Sequence, residues 1–175
     1  MQEDQLIKKV IKGNSRAQKT FYDMFAPKMY GVAMRYAKDR DEAKDILQEG
    51  FVKVFRNLNS FRGEGSLEGW VRKTIVNTAI NYYKKNVKHH YQADMDMVII
   101  FEESDVVSVV DKMSADELLQ KISELPDGYR TVFNLNVIEG YTHKEIGEML
   151  DISENTSKSQ LARAKSYLQK RIIRK

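Results

Sequence analysis

The chain has 175 residues, 42% hydrophobic and 31% charged, with no cysteine and a net charge of +4. At roughly 100–200 residues per domain this allows one globular domain or two small ones, and the missing cysteine excludes a disulfide scaffold, a thiolate metal site and a cysteine nucleophile. No apolar run approaches the ~18 residues that span a bilayer, and the polar opening MQEDQLIKKVIKG lacks the apolar stretch of a secretory signal, so no membrane insertion is expected and the cytoplasm is the expected location.

The pattern is helical nearly throughout. Ser15–Phe25 and Pro27–Ala37 read as two helices, with Pro27 at a first helical position. In Asp41–Leu58 the apolar residues Ala43, Ile46, Leu47, Phe51, Val54, Phe55 and Leu58 recur every three or four positions, which makes one face of an amphipathic helix. Asp41 is its expected N-cap. Phe61-Arg62-Gly63-Glu64-Gly65-Ser66 reads as a loop, since two glycines within three residues break a helix. Ser66 can cap the next helix, which carries Trp70, Ile75, Ala79, Tyr82 and Tyr83. From Tyr91 to Lys112 the sequence is acidic and without period, and reads as a linker.

Order resumes at Ser114, which forms a capping box with Glu117. Leu118, Leu119, Ile122 and Leu125 follow at helical spacing. Pro126-Asp127-Gly128 is a turn signal, Tyr129–Glu139 is a helix, and Gly140 is its C-cap. Thr142 and Glu145 make a second capping box for a helix ending at Leu150. After the short turn Asp151-Ile152-Ser153, a basic helix runs from Glu154 with Leu161, Ala164, Leu168 and Ile172 as its inner stripe. No strand is predicted anywhere. The expected fold is all-α, with two small helical domains, residues 1–91 and 114–175, joined by a flexible acidic linker over 92–113.

The charge is unevenly spread. Residues 70–90 carry five basic side chains and no acid, 92–128 carry ten acids against two lysines, and 151–175 carry seven basic side chains against two acids. Two basic blocks around an acidic middle suggest two nucleic-acid-facing surfaces. In the second block, a capped helix, a short turn and a basic helix make a helix-turn-helix. Ile146, Leu150, Ile152 and Leu161 can set its crossing angle. That leaves Thr156, Lys158, Ser159, Gln160, Ala162, Arg163 and Lys165 for the outer side, where Arg, Lys and Gln read base edges and Ser and Thr hold phosphates. In the first block, Phe61, Trp70, Tyr82 and Tyr83 interleave with Arg62, Arg72, Lys73, Lys84 and Lys85, and Asn77 and Asn81 lie one turn apart. Rings, cations and amides together suit a single-stranded or flipped base, although Trp70, Ile75 and Ala79 also suit a core. The polar face Asp45, Gln48, Glu49 has no nucleophile beside it and no metal-ligand spacing. His89 and His90 cannot face one another on a helix. No catalytic residue, metal or cofactor is expected.

These residues resemble a known family. Asp41 to Phe55, then Phe61-Arg-Gly-Glu-Gly, then Gly69-Trp-Val-Arg-Lys-Thr-Ile-Val-Asn77, are similar to the second conserved region of bacterial RNA polymerase sigma factors. Leu125-Pro-Asp-Gly-Tyr-Arg-Thr-Val-Phe133, Glu139-Gly-Tyr-Thr-His-Lys-Glu-Ile146 and Thr156-Ser-Lys-Ser-Gln-Leu-Ala-Arg-Ala-Lys165 resemble the fourth. Two such regions and little else resemble the extracytoplasmic-function group of the sigma-70 family.

The resemblance implies a transcription initiation factor without catalysis of its own. It implies that Asp45, Gln48 and Glu49 dock on the clamp helices of the largest polymerase subunit, and that Tyr129–Gly140 helps dock on the flap of the second-largest. Phe61, Arg62, Asn77 and Asn81 match positions that open the −10 element and capture an unstacked base, with Arg72, Lys73, Lys84 and Lys85 on the backbone. Lys158, Ser159, Ala162, Arg163 and Lys165 match the helix that reads the −35 element as duplex. An anti-sigma partner, a monomeric free state and a linker threading toward the RNA-exit channel are implied as well. The turn reading Ser153-Glu-Asn-Thr-Ser-Lys158 departs from the commoner glycine-threonine-valine form, and Lys165 stands where arginine is frequent. Two other readings predict different behaviour. A dimeric helix-turn-helix regulator would bind palindromic duplex without polymerase, and a nuclease working through the acidic face would need divalent metal.

Overall fold

The computed structural model describes residues 2–87 and 113–172. The expected linker over 92–113 lies outside the described residues except for Met113. The chain divides into two compact units, residues 1–81 and 82–175. No strand occurs among the described residues.

The first unit holds α1 (Glu3–Ile11), α2 (Ser15–Tyr36), α3 (Arg40–Asn57), a 3-10 turn (Leu58–Ser60) and the greater part of α4 (Leu67–Val87), whose last residues, 82–87, are counted with the second unit. The two helices expected on either side of Pro27 are one helix, with Pro27 inside it. Pro27 removes the hydrogen bond to the carbonyl of Asp23. Both residues are exposed, so that carbonyl is left on the water side, while Phe21, Phe25, Ala26 and Met29 stay buried on the other. Packing of that face outweighs the lost bond. The N-cap of α3 is Asp39, not Asp41: its side chain accepts from the Glu42 N–H at 2.8 Å, and the Glu42 carboxylate in turn accepts from the Lys38 N–H. Two acids two residues apart compete for this place. Asp39 takes it because its extended backbone turns the carboxylate toward the exposed amides.

The core of this unit is set by helical spacing. Phe21, Met29 and Val32 of α2, Ile46, Phe51 and Val54 of α3, Leu58, and Leu67, Val71 and Ile75 of α4 are all at most 2% exposed. Each such side chain contributes about 1.5–3 kcal/mol by leaving water. Rings join the layers: Phe21 lies 4.8 Å from Phe25 and 5.8 Å from Phe55, and Tyr22 lies 4.7 Å from Phe51. Gly50 lets α3 approach α4 closely, since a Cβ there would run into Ile75.

The second unit holds α5 (Ala115–Ser123), α6 (Asp127–Phe133), a π-helical turn (Asn134–Ile138), α7 (His143–Leu150) and α8 (Glu154–Ile172). Both capping boxes form as expected, Ser114 with Glu117 and Thr142 with Glu145. The turn at Pro126 is shorter than expected. Pro126 is itself the N-cap and α6 starts at Asp127, so Gly128 sits inside the helix. The segment expected as one helix to Glu139 widens into the π turn. Gly140 follows at φ +80°, the left-handed conformation that favours glycine. Ile122, Leu125, Leu135, Ile146 and Leu168 are fully buried. Ile152 and Ile172, expected inside, are only half-buried, because one lies in the turn and the other in the last turn of α8.

Candidate nucleic-acid interface

In the first unit the loop Phe61–Ser66 connects the 3-10 turn to α4. Gly63 and Gly65 have φ of +74° and +82°, so the two glycines the pattern marked are required by the backbone. The Ser66 hydroxyl accepts from the Gly69 N–H at 3.0 Å and caps α4 as expected. The half-buried Phe61 ring stands 5.9 Å from Trp70, and Arg62 is exposed. Trp70 is thus at the boundary between core and loop, while Ile75 and Ala79 are core. Along α4, Lys73, Asn77 and Asn81 are all exposed and four residues apart, so they form one outward stripe. Lys85 continues the same spacing and lies 5.6 Å over the Tyr82 ring. Arg72 and Lys84 are half-buried, beside the stripe rather than on it. The arrangement sets a ring and a guanidinium at one end of a row of amides and cations.

On α3, Asp45 and Gln48 are exposed, and Glu49 is half-buried. Glu49 pairs with Lys53 at 2.8 Å, and Lys53 Nζ reaches the buried Thr78 hydroxyl at 3.5 Å. The structure therefore separates Glu49 from the two open members of the expected set. Val52, 43% exposed, lies on the same stripe as Asp45, Gln48 and Glu49, and sequence reasoning passed over it.

In the second unit the helix-turn-helix is α7, the turn 151–153 and α8. Three features hold it. Asp151 caps α7 in the left-handed conformation, φ 56°. Gly147 allows close approach, because a Cβ there would lie 2.7 Å from the Ile152 carbonyl oxygen. His143 Nδ1 is hydrogen-bonded to the Ser157 hydroxyl at 2.8 Å, and Ser157 is fully buried. Burial holds the His143 imidazole below its ordinary pKa. Lys158 and Lys165 push in the same direction, and Glu154 opposes them.

Ser157, Leu161, Ala164 and Leu168 form the buried stripe of α8. Opposite it, Ser159 and Ala162 occupy the middle of the outward face, flanked by Lys158 and Arg163. Lys165 is half-buried at one edge. Gln160 lies at the other edge, with its Oε1 buried and unpartnered among the described residues. A Cβ on Gly128 of α6 would lie 3.2 Å from that oxygen, so Gln160 is turned inward. Thr156 is engaged at the helix start: its N–H donates to the Ser153 hydroxyl at 3.0 Å, and its own hydroxyl lies 2.8 Å from it. Lys158 pairs with Glu154 at 3.1 Å, both more than half exposed. Asn155, exposed in the first turn on the outward face, was missed, although the spacing that selected Ser159 and Ala162 also selects it.

Beneath this surface Arg130, 4% exposed, ties the unit together. Its Nη1 donates to the carbonyls of Ser123 at 3.3 Å and Leu125 at 2.9 Å, and its Nη2 donates to Asp127 at 2.5 Å. Arg171 bonds Glu124 at 2.7 Å, which holds that carboxyl below its ordinary pKa. Among the described residues no three acidic or histidine side chains gather as a metal ion would need. No helix among them is long and apolar enough to cross a membrane.

The family model for sigma-70 region 2 matches residues 21–89, and that for sigma-70 region 4 matches residues 115–168. The RNA polymerase sigma-H factor of Pseudomonas aeruginosa is 28% identical over 97% of this chain and 93% of its own. The chain belongs to the sigma-70 family. Within it this is an extracytoplasmic-function sigma factor, a promoter-specific initiation factor of RNA polymerase. The sigma-E factor of Haemophilus influenzae, of that group by name, is also 28% identical, over 95% of this chain and 93% of its own. Among solved structures, the sigma factor RpoE in complex with the anti-sigma factor NepR from Bartonella quintana has a TM-score of 0.49 and 17% identity, covering 87% of this chain and 94% of that one. The stripe on α4 lies within the region 2 match, and the outward face of α8 lies within the region 4 match, which ends at residue 168.

Proposed function

We propose that this sigma factor divides promoter recognition between the two faces described. Phe61 and Arg62 receive a base taken out of the −10 stack, Asn77 and Asn81 bond its edges or its neighbours, and Lys73 and Lys85 hold the strand, assisted by Arg72 and Lys84. Ser159, Ala162 and Arg163 face the −35 duplex, with Lys158 and Lys165 on phosphates. Thr156 acts there through the start of α8, and Gln160 through the packing of its edge. The observation that carries the reading is the exposed row Lys73, Asn77, Asn81 continuing from the Phe61 loop. Such a row has no use in the core and matches what an unstacked strand needs.

Asp45 and Gln48, with Val52 beside them, face the clamp helices of the largest polymerase subunit, and Glu49 supports that face through Lys53. The π turn presents Val137, 48% exposed, to the flap of the second-largest subunit. Region 2 spans 1–91, region 4 spans 114–175, and the acidic stretch 92–113 links them. The factor acts in the cytoplasm, where transcription occurs, is held by an anti-sigma factor until needed, and catalyses nothing itself.

The test is run-off transcription with bacterial core polymerase on a promoter library, followed by Asn77→Ala and Asn81→Ala. Both variants should retain core binding and lose open complexes. Asp45→Lys with Gln48→Lys should instead weaken core binding. Tight binding of palindromic duplex by a dimer, without core, would refute the reading.

A further inference from the structure

Helix α1 lies outside the residues matched by region 2, which begin at 21, and supplies none of the site residues. It is nevertheless firmly seated. Leu6 is 3% exposed and Val10 2%, and the helix packs on α2 and also on the 3-10 turn Leu58–Ser60. That turn immediately precedes Phe61.

The loop Phe61–Ser66 has two ends to secure. The far end is fixed by the Ser66 cap and the buried Leu67, and the Phe61 ring at the near end stands 5.9 Å from Trp70 without fixing the backbone beneath it. Between the ends, Gly63 and Gly65 hold left-handed backbone that other residues rarely adopt. The near end is three residues of 3-10 helix, a conformation with poor hydrogen-bond geometry that rarely sustains itself. Ser60 Oγ donates to the Asn57 carbonyl at 2.7 Å, and the Phe61 N–H donates to the Leu58 carbonyl at 3.1 Å. These bonds shape the turn but do not place it. Placement falls to Leu58, its one buried side chain, at 0% exposure, in a turn that packs on both α3 and α1.

We propose that α1 is a positioning element for base capture: Leu6 and Val10, acting through Leu58, hold the 3-10 turn so that Phe61 and Arg62 stand ready before the strand arrives. The inference rests on the reading of Phe61–Ser66 as the capture loop. A preorganised loop avoids ordering cost at the moment of binding, so a loosened α1 weakens capture while leaving the α3 face unchanged.

The experiment uses holoenzyme reconstituted from core polymerase and the full chain. The probe is a fluorescent single-stranded oligonucleotide carrying the −10 segment of a promoter selected by the unaltered factor. Leu6→Ala and Val10→Ala should each weaken capture about tenfold, with core affinity changed by no more than about twofold. Leu6→Met and Val10→Ile should restore it. A pre-melted template should reduce the defect less than it does for a variant impaired only in melting. Unchanged capture, or parallel losses of capture and core affinity, would overturn the proposal, the second by revealing a general loosening of the unit. Phe61→Ala separates the two levels of the reading. If it leaves capture intact, the loop assignment fails and this inference with it; if it abolishes capture while the α1 variants do not, only the inference fails.

Discussion

Replacing Arg130 tests whether one buried guanidinium organises the second unit. Its acceptors include the Ser123 and Leu125 carbonyls, at the C-terminal end of α5 and in the following turn, and the Asp127 carboxylate in the first turn of α6. A cation at a helix C-terminus also meets the negative end of the dipole. Hydrogen bonds to charged groups are worth about 1.5–3 kcal/mol each, but deletion also returns the cost of burying the cation. The Asp127 side chain is 49% exposed and rehydrates when released, so the stranded groups are chiefly the two carbonyls. Arg130→Ala should therefore cost about 2–4 kcal/mol, less than the three bonds summed. Arg130→Lys should cost nearly as much, because an ammonium cannot span the three acceptors as the planar fork does. The assay is amide hydrogen exchange in the full chain, resolved along α5 and α6, where this loss appears as exchange faster by about thirtyfold to a thousandfold. Full protection in Arg130→Lys would show that charge alone suffices, and protection in both variants would refute the argument.

Gly147→Ala should destabilise the helix-turn-helix by about 1–3 kcal/mol, since its Cβ meets a backbone oxygen that cannot step aside; thermal melting and −35 duplex affinity should fall together. His143 is held below its ordinary value in the fold, so the fold favours the neutral imidazole. Its contribution is present above the unfolded value near pH 6.5 and is lost as pH falls from there through the lower folded value. Melting curves between pH 7.5 and 5 should show that loss, and His143→Gln should remove this part of the pH dependence. Arg163→Ala should weaken −35 binding by about 1–3 kcal/mol if the guanidinium reads a base; equal losses on matched and scrambled duplexes would make it a phosphate contact.

The secondary structure was largely legible because its signals are local. Ser66, Ser114 and Thr142 each cap the helix that their side chains announced, and Gly140 ends its segment in the one conformation that singles out glycine. Where local signals competed, packing decided. Pro27 reads as a helix start, yet a buried face continuing on both sides carries α2 through it. Asp39 and Asp41 are equivalent as letters, and only the backbone geometry distinguishes them. The candidate site was legible as sets of residues sharing a face and less so as individual side chains. Periodicity selected Ser159, Ala162 and Arg163 without help, but it could not show that Gln160 turns inward toward α6 or that Thr156 closes onto Ser153. Those outcomes depend on side chains at the edge of a stripe, where a small rotation decides between water and core.

Pairing across sequence distance was the least legible part, and it bears most on how the faces work. No spacing rule joins His143 to Ser157, fourteen residues apart, yet that bond and the close approach at Gly147 hold α8 against α7 and its turn. Lys53 joins Glu49 to Thr78 and so links the side of α3 proposed to face polymerase to the helix bearing the Asn77 and Asn81 stripe. Each surface proposed to face DNA carries only a few cations, so each alone would neutralise few phosphates and bind weakly at cellular salt. Two weak faces become selective when both are held on one enzyme, because the second contact then forms at high effective concentration. In that arrangement the buried ties matter more than any single contact: they hold each face ready, and a face that must order itself on arrival gives up the advantage that tethering confers.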